Sequence, residues 1–442
     1  MALFRKFFNK EQDQSITVSS NNEFGRYLAC NKPYTLNKKY NKAVELFDAE
    51  DYLGSFNKLL DFLFDPSQQN IDRTFNRDIL EFSLLQGSRK ISGRVDNDEF
   101  YVSASLGKYE VLNPALFRYL LLRNHNLKYC CFAISNNEII VKAAADIKTS
   151  TPEKLFFTLK EVALTSDIDS DSLKRDFSFL VQVGKYTVNP LPDKKKGVKI
   201  KYLKKWISDT LHQVNNMNAD SEAIFVSYYL LSTLYRIDFL LTPEGELKTL
   251  ISDSLKLFNQ KNLSSTEKFD MVKSSLLEVL SFSDTQFSDS FCKYKYTFGI
   301  VEATSHKIVY EFILKHFDEI SKLLARSSQN QILCMYEYII GYVLYYFGVY
   351  PPTKQLMLLI YRVLYPEFFY EVAELPKLYD AESETFKVDI IEKEISNIVL
   401  QGRKEYPRLG VVAANISYKN LRSFSKSLLN EITFLNYSQP EI

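Results

Sequence analysis

The most distinctive chemistry in this sequence lies in a run of lysines that ends at its only tryptophan. The run comprises Lys194, Lys195, Lys196, Lys199, Lys201, Lys204, Lys205 and Trp206. Ammonium groups at this density can bind the phosphates of nucleic acid or of an anionic membrane, with Tyr202 and Trp206 as stacking or interface anchors. The alternative is a solvated linker that leads into a helix with an exposed charged face. Nucleic-acid binders usually carry a clearer basic excess, so the balanced charge of this chain favours the linker.

Three alternating carboxylates, Asp167, Asp169 and Asp171, match the spacing of the first ligands in an EF-hand calcium loop. Such a loop would need a glycine where Ser172 stands and a bidentate carboxylate where Ser178 stands. Both requirements fail. Because aspartate is a favoured helix cap, the sequence instead predicts an acidic turn that caps the next helix.

Other signatures of catalysis and cofactor binding are missing. The thirteen glycines include no G-x-G and no Walker A spacing, which argues against the common phosphate-binding loops. The four histidines form no H-E-x-x-H, no C-x-x-C occurs, and no G-x-S-x-G marks a nucleophile elbow. The sequence therefore predicts a protein that is not an enzyme, with no catalytic residue, no metal and no cofactor.

Composition and charge describe an ordinary globular chain of two or three domains. It has 442 residues, 46% hydrophobic and 25% charged, with a net charge of +1 that argues against a nucleic-acid-coating protein. Thirty-three Phe and 29 Tyr give an unusual aromatic content, which can fill large cores or an adhesive interface. Five cysteines do not suggest a disulfide scaffold, so a cytoplasmic protein is expected.

Two apolar segments bear on membrane contact. Residues 1–10 lack a continuous hydrophobic stretch and so do not form a secretory signal, although Leu3, Phe4, Phe7 and Phe8 would share one helix face. This face could contact a membrane, a partner or the protein itself. Residues 338–353 are uncharged but shorter than a spanning helix requires, so a buried core helix is predicted.

Changes in hydrophobic period divide the chain into four parts. They are an N-terminal extension (1–40), an α+β domain (41–188), a basic linker (189–202) and an all-helical domain (203–442). Within the second part we predict, in order, a helix at 41–64, strands at 78–85, 90–95 and 99–106, a helix from 113, strands at 129–135 and 138–143, a helix from 151 and a short helix at 171–181. The strands come in groups separated by helices, and single strands do not alternate regularly with helices. This order indicates an antiparallel sheet with packed helices.

Helix and turn signals place these elements. Asn113 and Pro114 begin a helix whose predicted apolar face is Leu116, Phe117, Leu120 and Leu121. Asn136 and Asn137 form a hairpin turn that requires positive φ. Thr151, Pro152 and Glu153 begin the next helix.

The segment from about residue 79 to 177 resembles the YbjN-like family, which shares its fold with type III secretion chaperones. The resemblance rests on element order and on the stretch from Asn113 to Leu127, the hairpin at 129–143 and the helix start at 151–155. It covers about a quarter of the chain. It implies a chaperone-like α+β fold and a non-enzymatic role in regulation or in holding other proteins.

Three hypotheses of function follow. The first is a protein-binding module, chaperone-like or an adaptor, that holds a polypeptide partner on the α+β domain and could form a homo-oligomer. The second is a membrane-surface or nucleic-acid adaptor that uses the lysines of 194–205. The third is an enzyme with an unrecognised site between the domains. The family resemblance, the Tyr and Phe content and the missing catalytic signatures favour the first.

Overall fold

The computed structural model describes residues 24–26, 34–111, 113–183, 191–410, 412 and 415–438, which fall into two compact units. The α+β unit lies within Tyr27–Pro190 and also includes Cys292–Glu302. The helical unit lies within Met1–Arg26, Leu191–Phe291 and Ala303–Ile442. The predicted order, an antiparallel sheet with helices followed by a helical region, is confirmed. Residues 1–10, with the predicted apolar face, lie outside the described residues.

One antiparallel sheet organises the α+β unit. Its elements in chain order are α1 (Tyr34–Asp48), α2 (Tyr52–Leu63), β1 (Ile71–Asn76), β2 (Ile79–Gln86), β3 (Arg89–Val95), β4 (Glu99–Lys108), α3 (Pro114–Asn126), β5 (Cys131–Ser135), β6 (Glu138–Asp146), α4 (Pro152–Asp176) and β7 (Val181–Gln182). The strand order is β1-β2-β3-β4-β6-β5, and β7 pairs with the end of β4. Among the described strands, β1 and β5 therefore lie at the two edges.

The three predicted strands of the first meander are β2, β3 and β4, but β1 precedes them and was not predicted. Its sequence, I-D-R-T-F-N, carries only Ile71 and Phe75 as apolar residues, too few for a clear alternation. β1 forms a hairpin with β2 through the two-residue turn Arg77–Asp78, in which Arg77 takes a φ of +55°. The second hairpin is confirmed, because Asn136 and Asn137 have φ values of +51° and +61°.

The first helical segment departs from the predicted boundaries. Helix begins at Tyr34, inside the expected N-terminal extension, and the predicted 41–64 helix is divided into α1 and α2. Glu50 takes a φ of +63°, which interrupts the helix. Asp51 then caps α2, accepting a hydrogen bond from the Gly54 amide at 2.9 Å.

Both predicted helix starts downstream are confirmed. The Asn113 side chain accepts hydrogen bonds from the first amides of α3, and Thr151 caps α4 with Pro152 in the first turn. The predicted apolar face of α3 is wrong at one position, because Leu121 is 70% exposed. α4 continues for 25 residues to Asp176, so the separate short helix predicted for 171–181 does not form.

The core of the α+β unit lies between one sheet face and the helices. Alternate strand residues such as Leu80, Phe82, Phe100, Val102 and Val141 are fully or nearly fully buried there. A segment far along the chain completes this core. Phe298 is buried within it, and the Thr297 hydroxyl donates a hydrogen bond to the Leu85 carbonyl at 2.8 Å. The sequence analysis had placed residues 292–302 in the helical domain, but these contacts make the segment part of the α+β unit.

The helical unit consists of eleven described helices and one short hairpin. In chain order they are α5 (Asp193–Asn215), α6 (Ala223–Arg236), α7 (Gly245–Leu257), α8 (Ser265–Leu280), α9 (Asp284–Asp289), α10 (His306–Leu323), α11 (Gln329–Tyr346), α12 (Pro351–Leu364), α13 (Pro366–Ala373), β8 (Tyr379–Asp380), β9 (Thr385–Phe386), α14 (Val388–Gly402) and α15 (Leu421–Thr433). A π-helical segment, Ile237–Leu241, extends α6.

In place of the basic linker predicted for 189–202, α5 begins at Asp193. Lysine is a good helix former, and α5 buries Tyr202, Leu203, Trp206 and Ile207 at helical spacing, which anchors the segment. Residues 184–190 lie outside the described part of the chain.

One described helical stretch, Ala223–Leu241, is long and apolar enough to cross a membrane by length and composition. Within its most apolar window, 78% is buried inside the structure. Residues 338–353, for which one buried helix was predicted, are instead divided between the end of α11 and the start of α12.

Candidate functional site: the two edges of the sheet

The lysines of the basic segment mostly contact groups of their own helical unit. Lys201 donates to the Glu371 carboxylate at 2.7 Å, and Lys194 donates to that of Glu374 at 2.9 Å. Lys199 donates to the Leu241 carbonyl at 2.7 Å, where the π-helical segment ends. These contacts hold the charged face of α5 against neighbouring helices, so the segment is part of the fold.

The remaining members of the segment behave similarly. Lys196 donates to the Ser288 hydroxyl at 3.2 Å, and the Lys204 ammonium lies 4.6 Å from the centre of the Phe287 ring. Trp206 is only 3% exposed and therefore cannot act as a surface anchor, which corrects that part of the sequence interpretation. Lys194 lowers the pKa of Glu374, with a smaller contribution from Lys195. Burial opposes a lowered pKa at Glu371, but Lys201 and Tyr202, with a smaller contribution from Lys205, lower it. Binding of an anionic partner by these lysines stays a prediction.

The alternating aspartates do not form a cap. Asp167, Asp169 and Asp171 lie inside α4, and the first two are buried. Asp169 accepts hydrogen bonds from the Arg123 guanidinium at 2.8 Å and from the Tyr119 hydroxyl at 3.3 Å. The predicted acidic turn is therefore wrong, and Asp169 instead joins α3 to α4. Among the described residues, no group of three or more potential ligands could hold a metal ion.

A fully buried arginine lies beside these aspartates and was missed in the sequence. Arg89 donates to the Val183 carbonyl at 2.6 Å, to the Ser105 carbonyl at 3.3 Å and to the Ser170 hydroxyl. Burial lowers its pKa, whereas the charges of Asp171 and Asp167 oppose that shift. Arg89 thus joins β3, β4 and α4 in the interior, which is a role in the architecture of the unit.

The helical unit has its own buried polar cluster. The Arg236 guanidinium donates to the Glu337 carboxylate at 3.0 Å, and the Tyr365 hydroxyl donates to the other oxygen of that carboxylate at 2.8 Å. Arg236 also lies 4.9 Å from the centre of the Trp206 ring. Burial raises the pKa of Glu337 to about 7, although Arg236 acts in the opposite direction. The only sign of this cluster in the sequence is that Arg236 and Glu337 are each the single charged residue of an otherwise uncharged helix.

The edge strand β5 is closed by an asparagine. The Asn124 side chain accepts a hydrogen bond from the Phe132 amide at 2.7 Å and donates one to the Phe132 carbonyl at 3.1 Å. Both groups point away from β6, in the direction in which another strand would pair. The Asn124 amide therefore occupies the place of a peptide group from an added strand.

A glutamate closes the approach to the same strand. The Glu161 carboxylate, on α4, accepts hydrogen bonds from three successive amides, those of Lys128 at 3.0 Å, Tyr129 at 2.6 Å and Cys130 at 2.9 Å. Charge-assisted bonds of this kind are roughly twice as strong as neutral ones. Asn124 and Glu161 together cover the outward groups of Phe132 and the amides of the three residues just before β5, whereas no described group bonds to the outward amide and carbonyl of Ile134. The sequence predicted neither role.

The edge strand β1 is different. Asn70 and Leu85 form a hydrogen-bonded pair, because the Leu85 amide donates to the Asn70 carbonyl at 2.9 Å. Since such pairs alternate along an antiparallel ladder, the amides and carbonyls of Ile71, Arg73 and Phe75 point away from β2. For Arg73 and Phe75, no hydrogen bond from any other described residue reaches these outward backbone groups.

The side chains along β1 are also accessible. Five of its six residues are exposed, and Phe75 retains 55% of its surface. Arg73 is held against α2, where it donates to the Asn57 carbonyl at 2.9 Å and to the Asp61 carboxylate. We call the outward side of Ile71–Asn76 the open edge, and the outward side of β5 the closed edge.

Comparison with known proteins does not assign the chain to a family. No protein-family model matches it, and no significant match is found among curated proteins.

Proposed function

We propose that this chain is a protein-binding module, chaperone-like or an adaptor, whose α+β unit holds an extended polypeptide along the open edge. The observation that carries the proposal is the contrast between the two sheet edges. Asn124 and Glu161 cover the outward groups of Phe132 and the amides just before β5, whereas β1 presents uncovered outward backbone groups at both Arg73 and Phe75. The YbjN-like resemblance, with its implied role in holding other proteins, agrees with this proposal.

Addition of a strand to a sheet edge is a recurring mode of peptide recognition. Main-chain hydrogen bonds supply affinity, and side chains at alternate positions supply specificity. The open edge offers both, because Arg73 and Phe75 can each exchange two backbone hydrogen bonds with an added strand. The exposed Phe75 ring contributes apolar surface on the sheet face that also carries α2.

Charged residues limit uncontrolled association at this edge. Asp72 and Arg73 interrupt the apolar character of β1, as is common on edge strands that avoid aggregation. An incoming strand must therefore match these charges, which favours a specific partner over any extended chain.

A pair of proline variants tests the proposal. In Phe75→Pro the outward amide of the open edge is removed, while the β1–β2 hydrogen bonds stay intact. Ile134→Pro is the matched control, because the Ile134 amide points outward from the closed edge. Each full-length variant is tagged and used for affinity isolation from native lysate.

We expect stoichiometric polypeptide, whether a different protein or an untagged copy of this chain, with the parent and with Ile134→Pro. Phe75→Pro should recover less than about a tenth as much, since loss of about 1.4 kcal/mol of binding is tenfold in affinity. Equal recovery by Phe75→Pro and the parent, or no bound polypeptide with the parent, would refute the proposal.

A further inference from the structure

We infer that the helical unit carries a binding site for a Phe-Gly-Arg peptide, which the chain's own Phe24, Gly25 and Arg26 occupy as an internal ligand. No helix or strand includes these three residues, and they belong to the same compact unit as the groups that hold them. A polypeptide partner with the same sequence would compete with the internal ligand. The inference concerns the helical unit and does not depend on the proposed function of the α+β unit.

An aromatic pocket binds the first residue of the internal ligand. The Phe24 side chain is only 2% exposed, and its ring packs edge-on against the rings of Phe369 and Phe368. The ring centres are 4.8 Å apart for the first pair and 6.1 Å apart for the second. Both partner rings belong to α13 and are buried. Edge-to-face pairs add stability beyond the area that they bury, so the pocket favours an aromatic side chain.

The second position of the ligand requires glycine. Gly25 takes a φ of +83°, a backbone conformation that residues with a Cβ rarely adopt. A Cβ at this position would also overlap the Phe239 ring and would lie 3.1 Å from the Lys354 Cε atom. Phe239 is buried, and its ring stacks on that of Tyr361 with 6.1 Å between the centres. Because the Phe239 ring is held in this way, any larger residue would clash with it.

The third position favours a guanidinium group. The Arg26 Nε lies 2.8 and 2.7 Å from the two oxygens of the Asp238 carboxylate, to which Nη2 also donates. The Asp238 side chain is only 5% exposed, so this charged contact lies mostly out of water. A lysine ammonium lacks the planar fork that matches a carboxylate. The Lys354 ammonium also donates to the Arg26 carbonyl at 3.1 Å, which fixes the ligand backbone.

An uncommon backbone conformation supplies two of these contacts. Asp238 and Phe239 both lie in the π-helical segment Ile237–Leu241, and Lys199 donates to the Leu241 carbonyl at its end. Turns of π-helix are rare in proteins and are frequent at functional sites. A ring pocket, a steric limit and a buried carboxylate thus recognise three successive residues that belong to no helix or strand. These are the features expected of a site for a short linear peptide.

The connection of the internal ligand to its own site determines how a partner can compete. A ligand in the same chain binds at a high effective concentration. The apparent affinity for a free peptide is reduced in proportion to the fraction of sites that are open. A free peptide should therefore bind weakly to the parent and more tightly to a variant whose internal ligand is impaired.

A fluorescent peptide of residues 21–27 tests this inference on the full-length chain by fluorescence anisotropy. Arg26→Ala should bind the peptide at least about tenfold more tightly than the parent, because its own ligand no longer fills the site. Arg175→Ala is the matched control: it removes an exposed arginine that is paired with Asp176, so it should bind like the parent. Peptides with Gly25→Ala or Arg26→Lys should each bind Arg26→Ala at least about tenfold more weakly than the unaltered peptide.

Two further variants keep the test decisive. Arg26→Lys retains a positive charge beside Asp238 and replaces Arg26→Ala if cooperative urea unfolding shows that the latter does not fold. Adding Asp238→Ala to Arg26→Ala should abolish peptide binding, because the carboxylate that recognises the peptide arginine is gone.

Three results would overturn the inference. They are equal binding of the peptide by the parent and the folded Arg26 variants, no binding by those variants, and equal binding of the unaltered and Gly25→Ala peptides. The proposed function is judged separately at Phe75, so its failure and the failure of this inference are distinguishable.

Discussion

The closed and open edges belong to one sheet, but they differ in whether side chains bond to their outward backbone groups. Each edge strand precedes a two-residue turn in a hairpin, so their local geometry is similar. At β5 the Asn124 side chain takes the hydrogen bonds of a missing strand at Phe132, and Glu161 binds the amides just before the strand, whereas at β1 the outward groups of Arg73 and Phe75 have no described partner. Unprotected edges promote aggregation, and proteins usually block them. The two edges of this sheet therefore differ in how far side chains of the same unit cover them.

The largest loss of stability is expected for a substitution in the helical unit. This loss is a reference value for the substitutions at the two sheet edges. In Glu337→Ala, Arg236 stays buried without its counterion, which should lower the free energy of unfolding by about 3–5 kcal/mol. Urea unfolding measures this loss. The control Asp318→Ala removes only an exposed i,i+4 ion pair with Lys322 and should change stability by less than about 0.5 kcal/mol. Similar losses for both variants would contradict the structure.

The raised pKa of Glu337 predicts a pH dependence with a definite sign. The ordinary pKa of the carboxyl is 4.5 and burial raises it to about 7, so the folded state binds more protons between these values. Stability from this group is present below about pH 4.5 and is lost as the pH rises to about 7. As the pH rises across this range, the midpoint temperature of thermal unfolding should fall more steeply for the parent than for Glu337→Gln. Parallel curves would contradict the assignment.

The next largest loss of stability is expected when the closed edge is opened. Asn124→Leu leaves the Phe132 amide and carbonyl without their partners, at a cost of about 1–3 kcal/mol. Hydrogen exchange at Phe132 should accelerate, and the protein should gain a second site of association. Asn126→Leu is the control, because Asn126 is exposed on the same helix. Unchanged exchange at Phe132 would show that Asn124 does not protect the edge.

A smaller effect is expected at Glu161. Glu161→Gln keeps an oxygen that can accept hydrogen bonds but removes its charge, so the free energy of unfolding should fall by about 1 kcal/mol. Exchange of the Lys128, Tyr129 and Cys130 amides should increase together, because they share this carboxylate. The nearby exposed carboxylate Glu153 offers the control Glu153→Gln, which should leave those amides unchanged.

The smallest effect on stability is expected at the open edge itself. Phe75→Pro removes an outward amide and an exposed ring, so the free energy of unfolding should change by less than about 1 kcal/mol. Binding should nevertheless be lost, as described above. A large loss of stability, measured by urea unfolding, would mean that the Phe75 amide already has a partner in the folded chain.

Features governed by neighbouring residues were predictable from the sequence. The Asn113 and Thr151 caps, the Asn136–Asn137 turn and the strands at 78–106 depend on local hydrogen bonds and on alternation within a few residues. Such signals need no knowledge of distant contacts. They were sufficient for the sheet-and-helix order of the α+β unit.

Features governed by distant contacts were not predictable. β1 is mostly polar and exists because β2 pairs with it, and Phe298 joins the sheet core from more than 200 residues away. The Lys-rich segment forms a helix because its apolar side is buried and its lysines bond to groups such as the Glu371 carboxylate. The roles of Asn124 and Glu161 likewise depend on tertiary placement, so the sequence alone gave no sign of a closed edge.

Residue-resolved hydrogen exchange in the purified full-length chain tests the central claim most directly. The Thr74 amide, which bonds to β2, serves as the internal reference, and Phe75 and Ile134 report on the open and closed edges. When the polypeptide recovered with the parent is added, protection should increase at Phe75 and stay constant at Ile134. Equal behaviour of Phe75 and Ile134 with and without that polypeptide would contradict the claim that β1 is the pairing edge.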